Sequence, residues 1–170
     1  MSNRLKVFKK TLPLKNFITS GGTWNFVTNA GIPYISKTVA DTTTLILIPI
    51  DVPQSHESGQ GVKLKSLDIP IRVATEDLDS TPVVTLYRRN MDAVTGATAD
   101  MVASTITCTT AGATVTKDAN DRLITLTVDS PALDYDTDAK LSYFATLRLN
   151  AKDSSAIRVY DAIAYFEVPV

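Results

Sequence analysis

The sequence predicts an all-β fold, an antiparallel two-sheet β-sandwich, from three observations. Short segments rich in Val, Ile and Thr recur along the 170 residues, and polar segments containing Gly, Pro, Asp and Ser separate them. No stretch has the periodicity of a long amphipathic helix. Connections of this length and composition are typical of all-β domains. Eight or nine strands in a chain of this size favour a jelly roll, an eight-stranded form of the sandwich.

The strands are predicted in order from their β-branched content and the turn residues between them. A short aromatic strand around 24–27 lies between two glycine-containing turns. The main strands that follow are Tyr34–Ala40, Thr44–Asp51, Val62–Ala74, Val83–Arg89, Met101–Thr109, Ala113–Thr116, Arg122–Val128, Leu141–Asn150 and Ile157–Val168.

The strand Val62–Ala74 shows a change of phase. Val62 and Leu64 alternate in one phase, and the apolar residues after them alternate in the other. Such a change within a continuous strand predicts a β-bulge, which we place near Ser66. Pro70 has no N–H to donate and therefore predicts an edge position for this strand. The apolar residues of the second phase are Leu67, Ile69, Ile71 and Val73.

The N-terminal segment is predicted to be a basic arm over residues 1–14, followed by a single sandwich domain over 15–170. The first 40 residues contain six basic and no acidic residues, whereas the other 130 contain 11 basic and 18 acidic ones. This asymmetry permits attraction between the arm of one copy and the body of another, or between the arm and a polyanion. The alternation of apolar and basic residues in "RLKVFKK" indicates a strand that can add to a neighbouring sheet edge, and a frayed terminus is the alternative. The predicted assembly contacts are Leu5, Val7, Phe8, Lys9 and Lys10.

The sequence contains no recognisable catalytic or cofactor motif. His56 is the only histidine and Cys108 the only cysteine, which excludes a multi-histidine metal site and an intrachain disulfide. There is no G-x-S-x-G elbow, no phosphate-binding loop and no apolar run as long as a membrane helix. We therefore expect a non-enzymatic protein without cofactors and without a membrane segment.

One acidic segment is a candidate cation site. Asp134, Asp136 and Asp138 alternate in a way that would suit the hard oxygen ligands of Ca²⁺. The EF-hand pattern would need Gly at 139 and Glu at 145, and both positions are Ala. An acidic turn between strands is the favoured interpretation, and a structural cation in another geometry stays open.

Two segments carry a resemblance to a known class. "LKSLDIPIRVATEDLDSTPVVTLYRRN" and "IRVYDAIAYFEVPV", together with the basic N-terminal segment, resemble the single jelly-roll proteins of virus and phage particles. The resemblance implies a capsid, cement or decoration subunit in the virion that binds copies of itself and other virion proteins. Contact of the arm with nucleic acid is a weaker expectation.

A ligand-binding sandwich is the alternative function. It would be a carbohydrate-binding module or the receptor-binding head of a fibre, with an exposed loop aromatic such as Tyr135 in contact with the ligand. The other aromatic residues fall mostly within strand patterns, where core or rim packing is the expected role.

Overall fold

The computed structural model of the protein describes residues 5–38, 42–51, 63–74, 78–90, 103–106, 108–111, 121–128, 141–151 and 156–169. A 3-10 turn spans Leu14–Asn16. The strands are β1 Leu5–Leu12, β2 Ile18–Ser20, β3 Thr23–Asn29, β4 Ile32–Thr38, β5 Thr42–Ile50, β6 Lys63–Ala74, β7 Val83–Asn90, β8 Ala103–Ile106, β9 Cys108–Ala111, β10 Arg122–Val128, β11 Leu141–Ala151, β12 Ala156–Val159 and β13 Ala162–Pro169.

The described strands form an antiparallel two-sheet sandwich with jelly-roll topology. In the larger sheet, β4, β12, β6 and β10 lie side by side, and in the smaller sheet the order is β5, β11, β7 and β8. Strands that follow one another along the chain, from β4 to β7, therefore alternate between the two sheets. β3 pairs with β4, β1 with β13, β9 with β10 and β2 with β5. The predicted fold class is confirmed.

The core lies between the two sheets, as the strand periodicity predicts. The apolar residues of β6 that alternate from Leu67 to Val73 are each at most 1% exposed. Ile46 and Ile48 of β5 and Leu147 of β11 are equally buried on the facing sheet. Each such side chain contributes about 1.5–3 kcal/mol relative to exposure.

The bulge predicted near Ser66 is confirmed. Tyr165 of β13 lies opposite Ser66, whereas the next residue, Phe166, lies opposite Leu64. Lys65 is therefore the extra residue, and its insertion lets Leu64 and the later apolar residues of β6 face the same core.

A second irregularity offsets the first. Between the pairs Val159–Ile71 and Ile163–Asp68, the chain advances four residues on the β12–β13 side and three on β6. The break adds one residue on the β12–β13 side, and the bulge adds one residue, Lys65, on β6. The two insertions cancel, so the pairing register is the same at both ends of β6. The strand predicted as continuous from Ile157 is accordingly divided into β12 and β13.

Pro70 lies in an interior strand, so the predicted edge position is wrong. β6 pairs with β10 on one side and with β12 and β13 on the other. The missing N–H of Pro70 coincides with the break between β12 and β13, and its carbonyl oxygen accepts a hydrogen bond from the Tyr160 N–H at 3.1 Å. The interruption of the ladder accommodates proline at the centre of the sheet.

The segment predicted as an arm lies, over residues 5–12, in the domain's own larger sheet. β1 runs antiparallel to β13 from Leu5 opposite Pro169 to Leu12 opposite Ala162. Its Phe8 ring stacks on Phe166, with ring centroids 5.4 Å apart. The alternating pattern of this segment therefore forms a sheet edge with the last strand of the same chain.

Asp161 forms a hydrogen bond that holds the segment after β1 against the larger sheet. It lies in the break between β12 and β13, and its Oδ1 accepts a hydrogen bond of 2.8 Å from the partly buried Leu14 N–H. We expect Asp161→Ala to lower the free energy of unfolding by about 1–2 kcal/mol, because the amide loses its acceptor. Asp161→Asn keeps an acceptor oxygen and should lose less. Urea denaturation of both variants measures the difference, and equal losses would contradict this role of the oxygen.

Candidate functional site

Of the five residues predicted as arm contacts, two contact other parts of the chain and two project outward. Leu5 lies opposite Pro169 at the start of β1. Phe8 packs against the core, and the Lys10 Nζ forms an ion pair with the Asp51 carboxylate. Val7 is 50% exposed and Lys9 is exposed, so these two project outward from the same strand. Phe8 and Lys10 therefore make contacts within the chain, whereas Val7 and Lys9 are exposed at the surface.

The other predicted candidates lie largely outside the described residues. These are His56, Tyr135 and the three aspartates at 134, 136 and 138. Cys108 lies at the start of β9. Across the described ranges, no group of three His, Cys, Asp or Glu side chains is arranged to hold a metal ion. In the same ranges, no helix is both long and apolar enough to cross a membrane.

The outer face of the larger sheet carries a set of aromatic and charged side chains that we call the tyrosine–arginine face. Strand alternation turns Arg158 and Tyr160 away from the core, because the residues that alternate with them, Ile157 and Val159, are fully buried. Arg158 lies directly opposite Arg72 of β6 on one side and Ser36 of β4 on the other. The face consists of Tyr34, Asp68, Arg72, Asp121, Arg158, Tyr160 and Tyr165.

Contacts among four of these side chains fix their positions. The Arg158 guanidinium carbon lies 4.8 Å from the centre of the Tyr34 ring, a cation–π contact. The Tyr34 ring is buried, and its centroid is 5.8 Å from that of Tyr160. The Tyr160 hydroxyl donates a hydrogen bond of 2.9 Å to Asp121 Oδ1. Arg158 and Tyr160 are therefore held by neighbours rather than left as free surface side chains.

Asp68 organises the other end of the face. Its Oδ1 accepts a hydrogen bond of 2.7 Å from the Thr125 hydroxyl. The negative charge of Asp68, and then the hydrogen bond to it, raise the pKa of the Tyr165 hydroxyl. Further along the strands, Lys65 and Glu167 form an ion pair of 2.8 Å. Tyr165 is thus oriented by a carboxylate, as Tyr160 is by Asp121.

The two tyrosines should resist ionisation. Burial, followed by the hydrogen bond and charge of Asp121, raises the pKa of Tyr160 above its ordinary 10.0, and Arg158 opposes the shift. Because an unfolded tyrosine ionises near 10, the stabilisation from the raised values is complete below that pH and is lost as the pH rises through the folded pKa values. We expect absorbance titration at 295 nm to show this, with Asp121→Asn lowering the Tyr160 pKa. An unchanged or higher value in that variant would contradict the assignment.

The arrangement is suited to binding an extended polar ligand. Tyr165 follows Arg158 by seven positions along β12 and β13, which corresponds to about 20 Å at the rise of a β-strand. Half-buried tyrosine rings offer apolar surface, and the charged groups beside them offer hydrogen-bond donors and acceptors. The alternation in "IRVY" indicates that Arg158 and Tyr160 share a face, but it carries no information on which strand lies beside them.

Comparison with known proteins finds only weak structural similarities to this chain. The sequence matches no family model and no curated protein. Among solved structures, a mutant of a family 29 carbohydrate-binding module aligns over 94% of this chain and 92% of its own, with a TM-score of 0.46 and 10% identity. A family 29 module from Piromyces equi gives 0.44 and 11%, over 94% and 90% of the two chains.

A bacterial domain gives a similar result. The cleaved adhesin domain of Lys-gingipain from Porphyromonas gingivalis aligns over 94% of this chain and 97% of its own, with a TM-score of 0.42 and 12% identity. At these values none of the similarities assigns a ligand to this chain.

Proposed function

We propose that this chain is a non-catalytic ligand-binding β-sandwich whose ligand is a glycan, bound along the tyrosine–arginine face. The observation that supports the proposal is the placement of Tyr160, which is hydrogen-bonded to Asp121, and of Tyr165, which lies near Asp68, on one outer sheet face with Arg158. The face follows β12 and β13 in succession along the sheet, so its shape suits a linear chain of sugars better than a compact small molecule.

The chemistry of the face matches that of a sugar. A pyranose ring presents C–H groups on its faces, which pack on a tyrosine ring, and hydroxyl groups at its edge, which donate to carboxylates and accept from guanidinium groups. Tyr165 supplies such a ring, and Asp68 beside it supplies acceptor oxygens. Because neighbouring contacts already position these groups, less side-chain entropy is lost on binding.

Polysaccharide affinity gels and titration calorimetry test the proposal. The intact protein should be retarded by at least one linear polysaccharide, and Tyr165→Ala should weaken binding by tenfold or more. Tyr87→Ala is the matched control, because Tyr87 lies on the smaller sheet and stacks on Phe144 with a 5.2 Å centroid distance. Binding of no polysaccharide in a broad panel, or equal losses in both variants, would contradict the proposal.

Self-association is a second candidate function, and an apolar surface favours it. The outer face of the smaller sheet exposes Ile18 by 63%, Val83 by 53% and Leu45 by 39%. Leu45 and Val83 lie opposite Arg148 of β11 on its two sides, so these exposed apolar residues share one face with an arginine between them. Apolar surface of this kind is typical of protein–protein contacts. The virion subunit expected from the sequence stays a prediction.

Sedimentation equilibrium tests this second candidate. If copies associate through the smaller sheet, the intact protein should be oligomeric and Val83→Lys should give a monomer with unchanged circular dichroism. Lys9→Glu on β1 is the control and should leave the oligomer intact. A monomeric intact protein would contradict self-association. An oligomer that dissociates in Lys9→Glu but not in Val83→Lys would show that the copies contact each other through β1 instead.

A further inference from the structure

We infer that the glycan bound by this face is anionic, and that Arg72 and Arg158 together hold a carboxylate or sulfate group on it. The inference rests on the proposed function and specifies its ligand class.

The first observation is the direct opposition of two positive charges. Arg72 and Arg158 are cross-strand partners on β6 and β12, and both point away from the core. Like charges directly opposite each other destabilise a sheet. Among the described residues neither arginine forms an ion pair, although Arg158 contacts Tyr34 and Tyr160. A bound anion between the two guanidinium groups would remove the repulsion.

The acidic groups of the same face are engaged elsewhere. Asp68 accepts from Thr125, and Asp121 accepts from Tyr160. Glu167, further along β13, pairs with Lys65. These carboxylates hold the tyrosines and the far end of the face in place, and within the described part of the chain they do not neutralise the arginine pair.

Arg72 also has unused donor capacity. Its Nε is buried from solvent and has no hydrogen-bond partner. A buried donor without a partner costs about 1–3 kcal/mol or more when the group is charged, so such atoms in native proteins call for an explanation. A ligand oxygen would satisfy this donor once rotation of the Arg72 side chain turns it toward the surface.

Arg158 supplies the second half of the site. Its guanidinium lies over the Tyr34 ring and beside the Tyr160 hydroxyl, which limits its rotation. A planar guanidinium donates two parallel hydrogen bonds to the two oxygens of a carboxylate or sulfate. Arg72 and Arg158 belong to adjacent strands whose backbones lie about 5 Å apart, so their two long side chains can reach one oxyanion.

Titration calorimetry with matched oligosaccharides tests the inference. The ligands are a carboxylated galacturonate oligomer, a sulfated chondroitin oligomer and a neutral gluco-oligosaccharide of the same length. The intact protein should bind one of the two anionic ligands at least tenfold more tightly than the neutral one. Arg72→Gln and Arg158→Gln should each remove that preference, while Arg158→Lys, which keeps the charge without the planar group, should retain part of it.

Two controls separate a specific site from general attraction to polyanions. Arg148→Gln removes an exposed arginine from the outer face of the smaller sheet and should leave all affinities unchanged. Single-stranded DNA of equal charge should bind more weakly than the preferred oligosaccharide. Equal losses in Arg148→Gln and Arg158→Gln, or tighter binding of DNA, would overturn the inference. If Arg158→Gln does not fold, the affinities of the Arg158→Lys and Arg72→Gln variants for the same ligands test the inference.

The outcomes also distinguish the inference from the function on which it rests. Tight binding of the neutral oligosaccharide with no anionic preference, lost in Tyr165→Ala, would uphold glycan binding and overturn the anionic ligand. Binding of none of the three ligands or any other polysaccharide would overturn both.

Discussion

Deletion of residues 1–14 is expected to prevent the domain from folding stably. The deletion removes β1, which pairs along the whole of β13, and the side chains of Leu12 and Leu14, each 3% exposed. It also uncovers Phe166, which is fully buried and stacked on Phe8. Loss of two buried leucines alone costs about 2–5 kcal/mol each, which is comparable with the 5–15 kcal/mol that stabilises a typical domain.

Point variants on the same strand test this expectation without removing the backbone. Leu12→Ala should lower the free energy of unfolding by about 2–5 kcal/mol, because it leaves a cavity between the sheets. Val7→Ala is the control, since Val7 is 50% exposed, and it should change stability by about 0.5 kcal/mol or less. Guanidinium denaturation followed by circular dichroism measures both.

The deletion itself has one decisive contrary result. A fragment of residues 15–170 that unfolds cooperatively, with stability within about 1 kcal/mol of the intact chain, would show that β1 is dispensable to the domain. It would also restore the independent arm that the sequence suggested.

The N-terminal segment illustrates what a sequence pattern can and cannot predict. The alternation in "RLKVFKK" correctly indicates a strand that adds to a sheet edge. The identity of that edge depends on β13, about 150 residues away, and on the fit of the Phe8 ring against Phe166. A contact so distant along the chain leaves no signal in either segment alone, so the basic charge suggested an arm instead.

The alternation of apolar and polar residues correctly predicts features that depend on one strand alone. The bulge near Ser66 follows from the phase of the apolar residues of β6, and burial of one phase enforces it. The position of Pro70 depends on two strands, because the break at Tyr160 on the neighbouring strand is what makes an interior proline acceptable. Similarly, the strand predicted over Met101–Thr109 is divided between β8 in the smaller sheet and β9 in the larger.

The candidate site was only partly visible in the sequence. Alternation assigns Arg158 and Tyr160 to one face, but their neighbours come from strands far away in the chain. The meeting of Arg158 with Arg72 and Tyr34 depends on the interleaved strand order of the jelly roll. A face assembled from β4, β6, β12 and β13 therefore becomes apparent only once the sheet order is known.

Gly21→Ala should be among the most destabilising single substitutions in the chain. Gly21 connects β2 in the smaller sheet to β3 in the larger one, with a φ of +76°. A Cβ at this position would lie 2.4 Å from the Thr43 carbonyl oxygen, which belongs to the backbone of β5. Left-handed backbone strain costs about 1–2 kcal/mol, and moving a strand to relieve the clash costs more. We expect a total loss above about 3 kcal/mol.

Gly31→Ala separates the two contributions to that loss. Gly31 has nearly the same φ, +81°, but nothing lies within 4 Å of the position its Cβ would take. Its substitution should cost only the backbone strain, about 1–2 kcal/mol, so the difference between the variants in urea denaturation measures the approach of Gly21 to β5. Equal losses would mean that β2 and β3 are not joined by the close crossing described above, and the placement of β2 against β5 would then be wrong as well, because the same short connection determines both.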